Sequence, residues 1–211
     1  ERAADVVWTA APHEGQVPLP TGDHVPAGVV SFASADGEAA FLVMSTPSVW
    51  RAAGVNADAL GLEAMMTAVL LHEGAHVAQS ATYGARMTAL VAANNLAEDF
   101  NDDSIQQRFA ENAEFVASVE REIDLLFRAA AAPDQAAARA LAREARDLMQ
   151  ARRARWFSGA DVSLTEAEDI WLTFEGSGQW LGYQWMVHPS GGGVDALLHT
   201  LGALVNNDAT L

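Results

Sequence analysis

Two histidines and one glutamate lie close together in an apolar segment of the chain, in the order His72-Glu73-Gly74-Ala75-His76. Residues four apart on an α-helix project from the same face, about one turn apart. His72 and His76 can therefore bind one metal ion, at the roughly 2.0–2.1 Å typical of zinc. Glu73 lies about 100° around the helix from His72. It can take a proton from a metal-bound water without being a ligand, which is the chemistry of a hydrolase.

The residues around this motif favour a buried helix, because Met65, Leu71 and Val77 and most of their neighbours are apolar. Burying two imidazoles and a carboxylate costs free energy unless something compensates for it, and a metal ion would do so. The competing interpretation is that His72 and His76 are ordinary histidines of the core or its rim. The helical placement and the apolar flanks favour the metal site over that interpretation.

The motif resembles the one found in zincin metallopeptidases. That resemblance implies zinc bound by His72 and His76, with Glu73 as the general base in peptide-bond hydrolysis. The metzincin branch of the family has Gly and then His after the motif, whereas this chain has Gln79 and Thr82 at those places. The gluzincin branch, in which a carboxylate from a later helix completes the site, is the better match.

Glu175 is the strongest candidate for the third ligand. It lies in an apolar stretch of a predicted helix, where a lone carboxylate needs a partner. Gly178 and Gly182 are four apart and remove bulk from one side of that helix, which permits close contact with another helix. The segment also resembles the Glu-Gly-x-Ala-x-aromatic stretch of several gluzincin-like peptidases, in which the Glu binds zinc. Here Gly178 replaces the Ala and Trp180 supplies the aromatic residue.

Other glutamates remain alternatives for the third ligand, first Glu120 and Glu122, and then Glu114 and Glu98. Glu120 is followed four residues later by Asp124, which is similar to the Glu-x-x-x-Asp pattern of some gluzincins. The same stretch also fits a charged, solvated helix face.

Two further residues are candidates for stabilising the oxyanion that develops during hydrolysis. Tyr183 lies two turns after Glu175 on nearly the same face of the predicted helix, and His188 follows that helix in a Gly-rich loop. The plainer interpretations are a core aromatic residue for Tyr183 and a surface loop residue for His188.

The composition narrows the function further. The net charge of −16, from 28 acidic and 12 basic residues, argues against a nucleic-acid partner. The absence of cysteine excludes disulfides and thiolate metal sites. No run of apolar residues is long enough to predict a membrane span. The chain begins with Glu1 and not with Met, so we expect a secreted or periplasmic protein whose signal segment has been removed.

The residue patterns predict an α+β fold that is predominantly α-helical and zincin-like, in a single metallohydrolase domain over residues 1–211. A β-containing part occupies residues 1–45, and a helical part of about six helices occupies residues 46–211. Residues 29–44 form a predicted hairpin with a turn at Asp36-Gly37. A short strand is expected over residues 6–9, and the rest of residues 1–28 is expected to be irregular.

The predicted helices cover residues 48–53, 59–82, 87–97, 105–131, 133–157, 165–187 and 194–205. Pro133 is expected at the first position of its helix, and Thr165 with Glu168 fits a capping box. The arginine-rich helix over residues 133–157, with Arg152, Arg153 and Arg155 near its end, is expected to present a solvated, ion-paired face.

Three functions are compatible with these patterns. The first is a zinc peptidase acting on a peptide or protein substrate, with the strand at residues 41–44 as an edge to which the extended substrate adds. The second is a zinc hydrolase of a non-peptide amide or ester. The third is a non-catalytic zinc-binding or interaction domain. Glu73 argues against the third function, because a purely structural site needs no acid at that position.

Overall fold

In the computed structural model the described residues are 11–36, 39–57, 61–97 and 99–191. This part of the chain is α+β and predominantly helical, with its strands at the N-terminal end, as predicted. The strand predicted over residues 6–9, the helix predicted over residues 194–205, and Gly37 of the predicted turn lie outside the described residues.

Two antiparallel hairpins form the β-containing part. Strand β1 (Gln16–Pro18) pairs with β2 (His24–Pro26), and β3 (Ser31–Asp36) pairs with β4 (Ala39–Met44). The β3–β4 hairpin is the predicted one, and its register places Ser31 opposite Met44. The β1–β2 hairpin was not expected, because strands of three residues are too short to show the alternation that identifies a strand in sequence.

Seven α-helices follow within the described residues. They are α1 (Pro47–Ala52), α2 (Leu62–Gln79), α3 (Ala85–Asn94), α4 (Ser104–Phe109), α5 (Ala113–Ala130), α6 (Gln135–Trp156) and α7 (Leu164–Val187). Helix α2 begins after Gly61, whose φ of 78° lies in the region that favours glycine. The sequence predicts a helix end near residue 82, but the chain continues from α2 into α3 through a π-helical turn, Ser80–Gly84.

Side-chain caps divide the helices differently from the prediction. The helix predicted over residues 105–131 is two helices, because the side chain of Asn112 accepts a hydrogen bond from the backbone N–H of Phe115 at 3.1 Å and starts α5 anew. Asp134 caps α6 in the same way through the backbone N–H of Ala137, at 2.9 Å. Pro133 therefore precedes α6 and does not open it.

The predicted capping box at Thr165 and Glu168 is wrong. Helix α7 already begins at Leu164, after Ser163, which makes no side-chain cap. Glu168 instead binds Arg152 at 2.9 Å and Arg153 at 2.5 Å. Pairing two arginines with a largely buried carboxylate stabilises more than a cap at an exposed helix end would.

The two larger of three hydrophobic clusters among the described residues hold the fold together, and the third is formed by Ala68 and Met186. One joins the start of α2 to α1 and the β3–β4 hairpin, and its buried members are Trp50, Leu62, Met65 and Met66. The other joins the first half of α7 to α3, α4, α5 and the end of α6, and its buried members are Met87, Leu90, Ile105, Phe115, Phe157, Leu164, Ala167 and Ile170. None of the helices in the described part is long and apolar enough to span a membrane.

Helices α2 and α7 pack against each other in opposite directions between these clusters. Gly178 faces His72, and Gly182 faces the backbone of Ala68 one turn earlier in α2. Farther along, the indole N–H of Trp185 donates to the carbonyl of Ala64 at 3.2 Å. The two glycines on α7 therefore serve the close helix contact that the sequence predicts for them.

A buried ion-pair network joins α5, α6 and α7. Arg152 binds Glu122 through two hydrogen bonds of 2.7 and 3.0 Å and also pairs with Glu168. Arg153 pairs with Glu168 and, at 2.8 Å, with Asp169. Only 4% of Arg152 is exposed, so the expectation of a solvated face is wrong for this part of α6.

Replacing Arg152 with Met will destabilise the protein by about 3–5 kcal/mol, because Glu122 is then left buried without its cation and Glu168 keeps only Arg153. Urea unfolding followed by circular dichroism measures the change. The matched control is Arg146→Met, which removes an exposed pair with Asp147 and costs about 1 kcal/mol or less. Equal losses in the two variants would contradict a special role for the buried network.

Candidate metal centre

Three possible metal ligands meet where α2 and α7 cross. Nε2 of His72 and Nε2 of His76 are 2.8 Å apart. The carboxylate of Glu175 lies 3.3 Å from the first nitrogen and 3.4 Å from the second. Each residue offers one ligand atom, and these atoms all lie within 4.8 Å of one another. The structure therefore brings together the three residues that the sequence singles out as ligands.

The donor set fits a zinc ion. Ligand atoms at 2.0–2.1 Å from a tetrahedral zinc are separated from one another by about 3.3 Å. The carboxylate of Glu175 meets each nitrogen near that value through a different oxygen, Oε2 at 3.3 Å from His72 and Oε1 at 3.4 Å from His76, and the two histidine nitrogens need to move apart by about half an ångström. Two imidazoles and one carboxylate also form a donor set of the kind that catalytic zinc sites use.

The electrostatics of the cluster also favour a cation. Burial raises the pKa of Glu175, but hydrogen bonds and charge interactions with His72 and His76 outweigh it and lower the pKa from 4.5 to about 2. The carboxylate is therefore ionised at neutral pH. Burial, and after it the negative charge of Glu175, raises the pKa of Asp102, in the segment before α4. A second carboxylate thus adds negative potential at this site.

Packing restrains both histidine rings. The ring of His76 stacks on Phe174, with centroids 4.1 Å apart and planes 9° apart. His72 lies against Gly178 so closely that a Cβ at position 178 would be 2.7 Å from Nδ1 of His72. Such a contact is far inside van der Waals separation. The glycine at position 178 therefore leaves the room that the His72 ring occupies.

Glu73 is held by the β3–β4 hairpin. It is 8% exposed, and its Oε1 accepts a hydrogen bond of 2.9 Å from the hydroxyl of Ser31, the first residue of β3. Strands β3 and β4 both pack against α2. Glu73 follows His72 directly in α2 and is anchored through one oxygen, so its second oxygen is available for proton transfer.

Tyr183 and His188 lie farther along α7. Tyr183 is about 12 Å beyond Glu175 along the helix axis, at a rise of 1.5 Å per residue, and its ring packs against Trp180 with centroids 5.4 Å apart. His188 follows the end of the helix, where its ring stacks on Trp185 and its Nδ1 accepts the backbone N–H of Ser190. The contacts given by the described residues do not bring either side chain to the cluster.

The alternative third ligands lie elsewhere. Glu122 is buried against Arg152 in the ion-pair network, and Glu114 is paired with Arg155. Glu120 is exposed on α5. Glu98 lies outside the described residues.

Several residues that surround the cluster were not anticipated. Ser31 could not be found from sequence, because its role depends on how the hairpin docks against α2. Gln79 and Ser177 hydrogen-bond across the two helices at 2.8 Å. Gln79 lies one turn after His76, and Ser177 lies two residues after Glu175. This closeness in sequence to the proposed ligands is the feature by which the two residues could have been predicted.

Comparison of the chain with protein-family models, with curated proteins and with solved structures gave no match.

Replacing Gly178 with Ala will displace the His72 ring and weaken zinc binding by about 10-fold or more, since a ligand must leave its position by roughly an ångström. Competition for zinc with a chromophoric chelator measures the affinity. Gly176→Ala is the matched control, because a Cβ there meets nothing within 4 Å. The control will bind zinc normally and will stabilise α7 by up to about 1 kcal/mol. Unchanged affinity in Gly178→Ala would refute the contact.

Proposed function

We propose that this protein is a zinc-dependent hydrolase that cleaves peptide bonds, with His72, His76 and Glu175 as the metal ligands and Glu73 as the general base. The observation that carries the proposal is the convergence of these three donors from two helices beside a buried carboxylate that is not one of them. A bound zinc supplies Lewis acidity that activates water and polarises the carbonyl group under attack.

Glu73 provides the proton-transfer group in this proposal. It follows His72 directly on α2, and Ser31 holds one of its oxygens. The other oxygen can take a proton from the attacking water and pass it to the leaving amine. A non-catalytic zinc site would have no use for this buried acid, so Glu73 favours an enzyme over an interaction domain.

The β3–β4 hairpin supports a peptide as the substrate. It is a two-stranded sheet within the described residues, so each strand has an edge that the other does not cover. An extended peptide can add to such an edge through backbone hydrogen bonds. The predicted substrate strand at residues 41–44 belongs to β4, and the hairpin reaches Glu73 through Ser31. Tyr183 and His188 remain candidates for binding the oxyanion.

A hydrolase of non-peptide amides or esters would use the same ligands and the same base, because the attacked carbonyl is chemically similar. Two histidines and one carboxylate can also hold Fe²⁺ in oxygenases. The buried acid beside the ligands favours hydrolysis over that chemistry. Elemental analysis separates zinc from iron, and a panel of peptide, amide and ester substrates separates the hydrolases.

His72→Ala and Glu175→Ala will each lose bound zinc, since three protein ligands are the minimum in known catalytic zinc sites. Metal content after purification and dialysis, measured by plasma mass spectrometry, tests this expectation. Glu120→Ala, on the exposed face of α5, is the control and will keep a full complement of metal. Zinc retained by Glu175→Ala would move the third ligand to another residue.

Glu73→Gln will keep zinc and lose hydrolysis by about 10²–10⁴-fold, which is the usual contribution of a general base. Cleavage of fluorescein-labelled casein, measured beside metal content, separates the two effects. Ser31→Ala will keep zinc and lower kcat more than it raises KM, because the hydroxyl orients Glu73. Ser34→Ala is the control, since residues three apart on a strand face opposite sides of the sheet. Full activity in Glu73→Gln would refute the proposed base.

A further inference from the structure

Two buried polar atoms near the cluster have no hydrogen-bond partner among the described residues. They are Nδ1 of His76 and the side-chain carbonyl oxygen of Gln79. Leaving a buried donor or acceptor unpaired costs about 1–3 kcal/mol, so such groups need an explanation. The two residues are three apart on α2 and are therefore neighbours on the helix surface.

The orientation of the Gln79 side chain follows from its contacts. The hydroxyl of Ser177 donates its one hydrogen to the carbonyl of Phe174 at 2.9 Å. It must therefore accept the hydrogen bond of 2.8 Å that joins it to Gln79, which makes the Gln79 atom in that contact its amide nitrogen. The carbonyl oxygen of Gln79 then points away from Ser177 and is free to accept a hydrogen bond from another group.

The same contacts place the Gln79 amide beside His76. Helical side chains lean toward the N-terminus, so Gln79 reaches back over the turn that carries His76. Its partner Ser177 lies one turn after Phe174, and Phe174 is the residue on which the His76 ring stacks. The amide and the imidazole therefore contact residues one turn apart on α7.

We propose that Gln79 is the positioning residue of the metal centre: when the ion binds, its carbonyl oxygen, which has no partner in the described part of the chain, accepts the Nδ1 proton of His76 while its amide group donates to Ser177. This inference rests on the proposed metal site. A histidine that binds a metal through Nε2 carries its proton on Nδ1 and almost always donates it to an acceptor. Gln79 supplies that acceptor and so fixes the tautomer in which Nε2 is free for the ion. Through Ser177 it also ties His76 to the helix that carries Glu175.

Zinc affinity of the full chain, measured by chelator competition, tests the proposal without any substrate. Gln79→Met keeps the size of the side chain and removes both hydrogen bonds, and it will weaken zinc binding about 10- to 100-fold. Gln79→Glu restores an acceptor for His76 and will bind zinc within about threefold of wild type, as expected when a carboxylate replaces an amide in this role. Loss of affinity in Gln79→Glu equal to that in Gln79→Met would overturn the proposal.

The comparison variant is Gln179→Met, which changes the same residue type one turn after Glu175 on α7. It will bind zinc as wild type does, because a carboxylate ligand has no ring proton to donate. If Gln179→Met weakens zinc binding as much as Gln79→Met does, then loss of any half-buried amide near the cluster is enough to lower the affinity. That result would overturn the specific role of Gln79.

Nitrogen-15 NMR of the zinc-loaded protein gives a second readout that a merely structural role would not change. In the wild type and in Gln79→Glu the Nδ1 proton of His76 will exchange slowly with water, and in Gln79→Met it will exchange too fast to be seen. Zinc loss in His72→Ala together with wild-type behaviour of Gln79→Met would refute this inference alone. Absence of zinc binding by the wild type would refute both this inference and the proposed function.

Discussion

The close approach of α2 to α7 is the constraint on which the candidate metal centre depends. His72 and His76 lie on one helix and Glu175 on the other, so their donor atoms meet only if the helix axes come near each other. The glycine at position 178 makes this possible by leaving the space that the His72 ring fills. A glycine inside a helix costs about 1 kcal/mol relative to alanine. Here that cost accompanies a contact that a larger residue would prevent.

Helix α7 carries two partly buried glutamates, Glu168 and Glu175, two turns apart. Their partners differ, and so do the roles that the two carboxylates can have. Glu168 meets Arg152 and Arg153, whose guanidinium groups are always charged, and its charge is fully compensated. Glu175 meets two imidazoles, which carry charge only when they are protonated. Among the described residues the ion-pair partners of Glu175 are two side chains that could bind a metal, so a bound ion would compensate its charge. The first glutamate therefore belongs to the core of the fold and the second to the site.

Local patterns were enough to predict most elements and the three residues of the donor cluster, but not the contacts between elements. The β3–β4 hairpin and the helices follow from strand alternation, helical periodicity and turn residues. His72 and His76 follow from motif spacing, and Glu175 follows from its apolar surroundings, the glycines after it and the resemblance to gluzincins. Breaks such as that before α5 depend on a single capping side chain, which competes with an otherwise unbroken helical pattern.

The burial of polar side chains was the property that the sequence predicted least well. Arg152 looks like its exposed neighbours in an arginine-rich helix, and only the packing of α5 and α7 against it makes it buried. The bond between Ser31 and Glu73 joins residues far apart in sequence, and no local pattern specifies how the hairpin docks. These features are set by tertiary contacts, which a single sequence without structural context does not reveal.

The π-helical turn after Gln79 joins α2 and α3 into one continuous helical segment. The start of α2 packs in the hydrophobic cluster with the β3–β4 hairpin, and α3 packs in the cluster with the first half of α7. The two histidines are therefore held from both sides and do not lie at a fraying helix end. Ligands that already occupy their positions lose little conformational freedom when an ion binds. Most of the free energy of coordination can then appear as affinity, and a rigid site of this kind also resists distortion by an ion of unsuitable size.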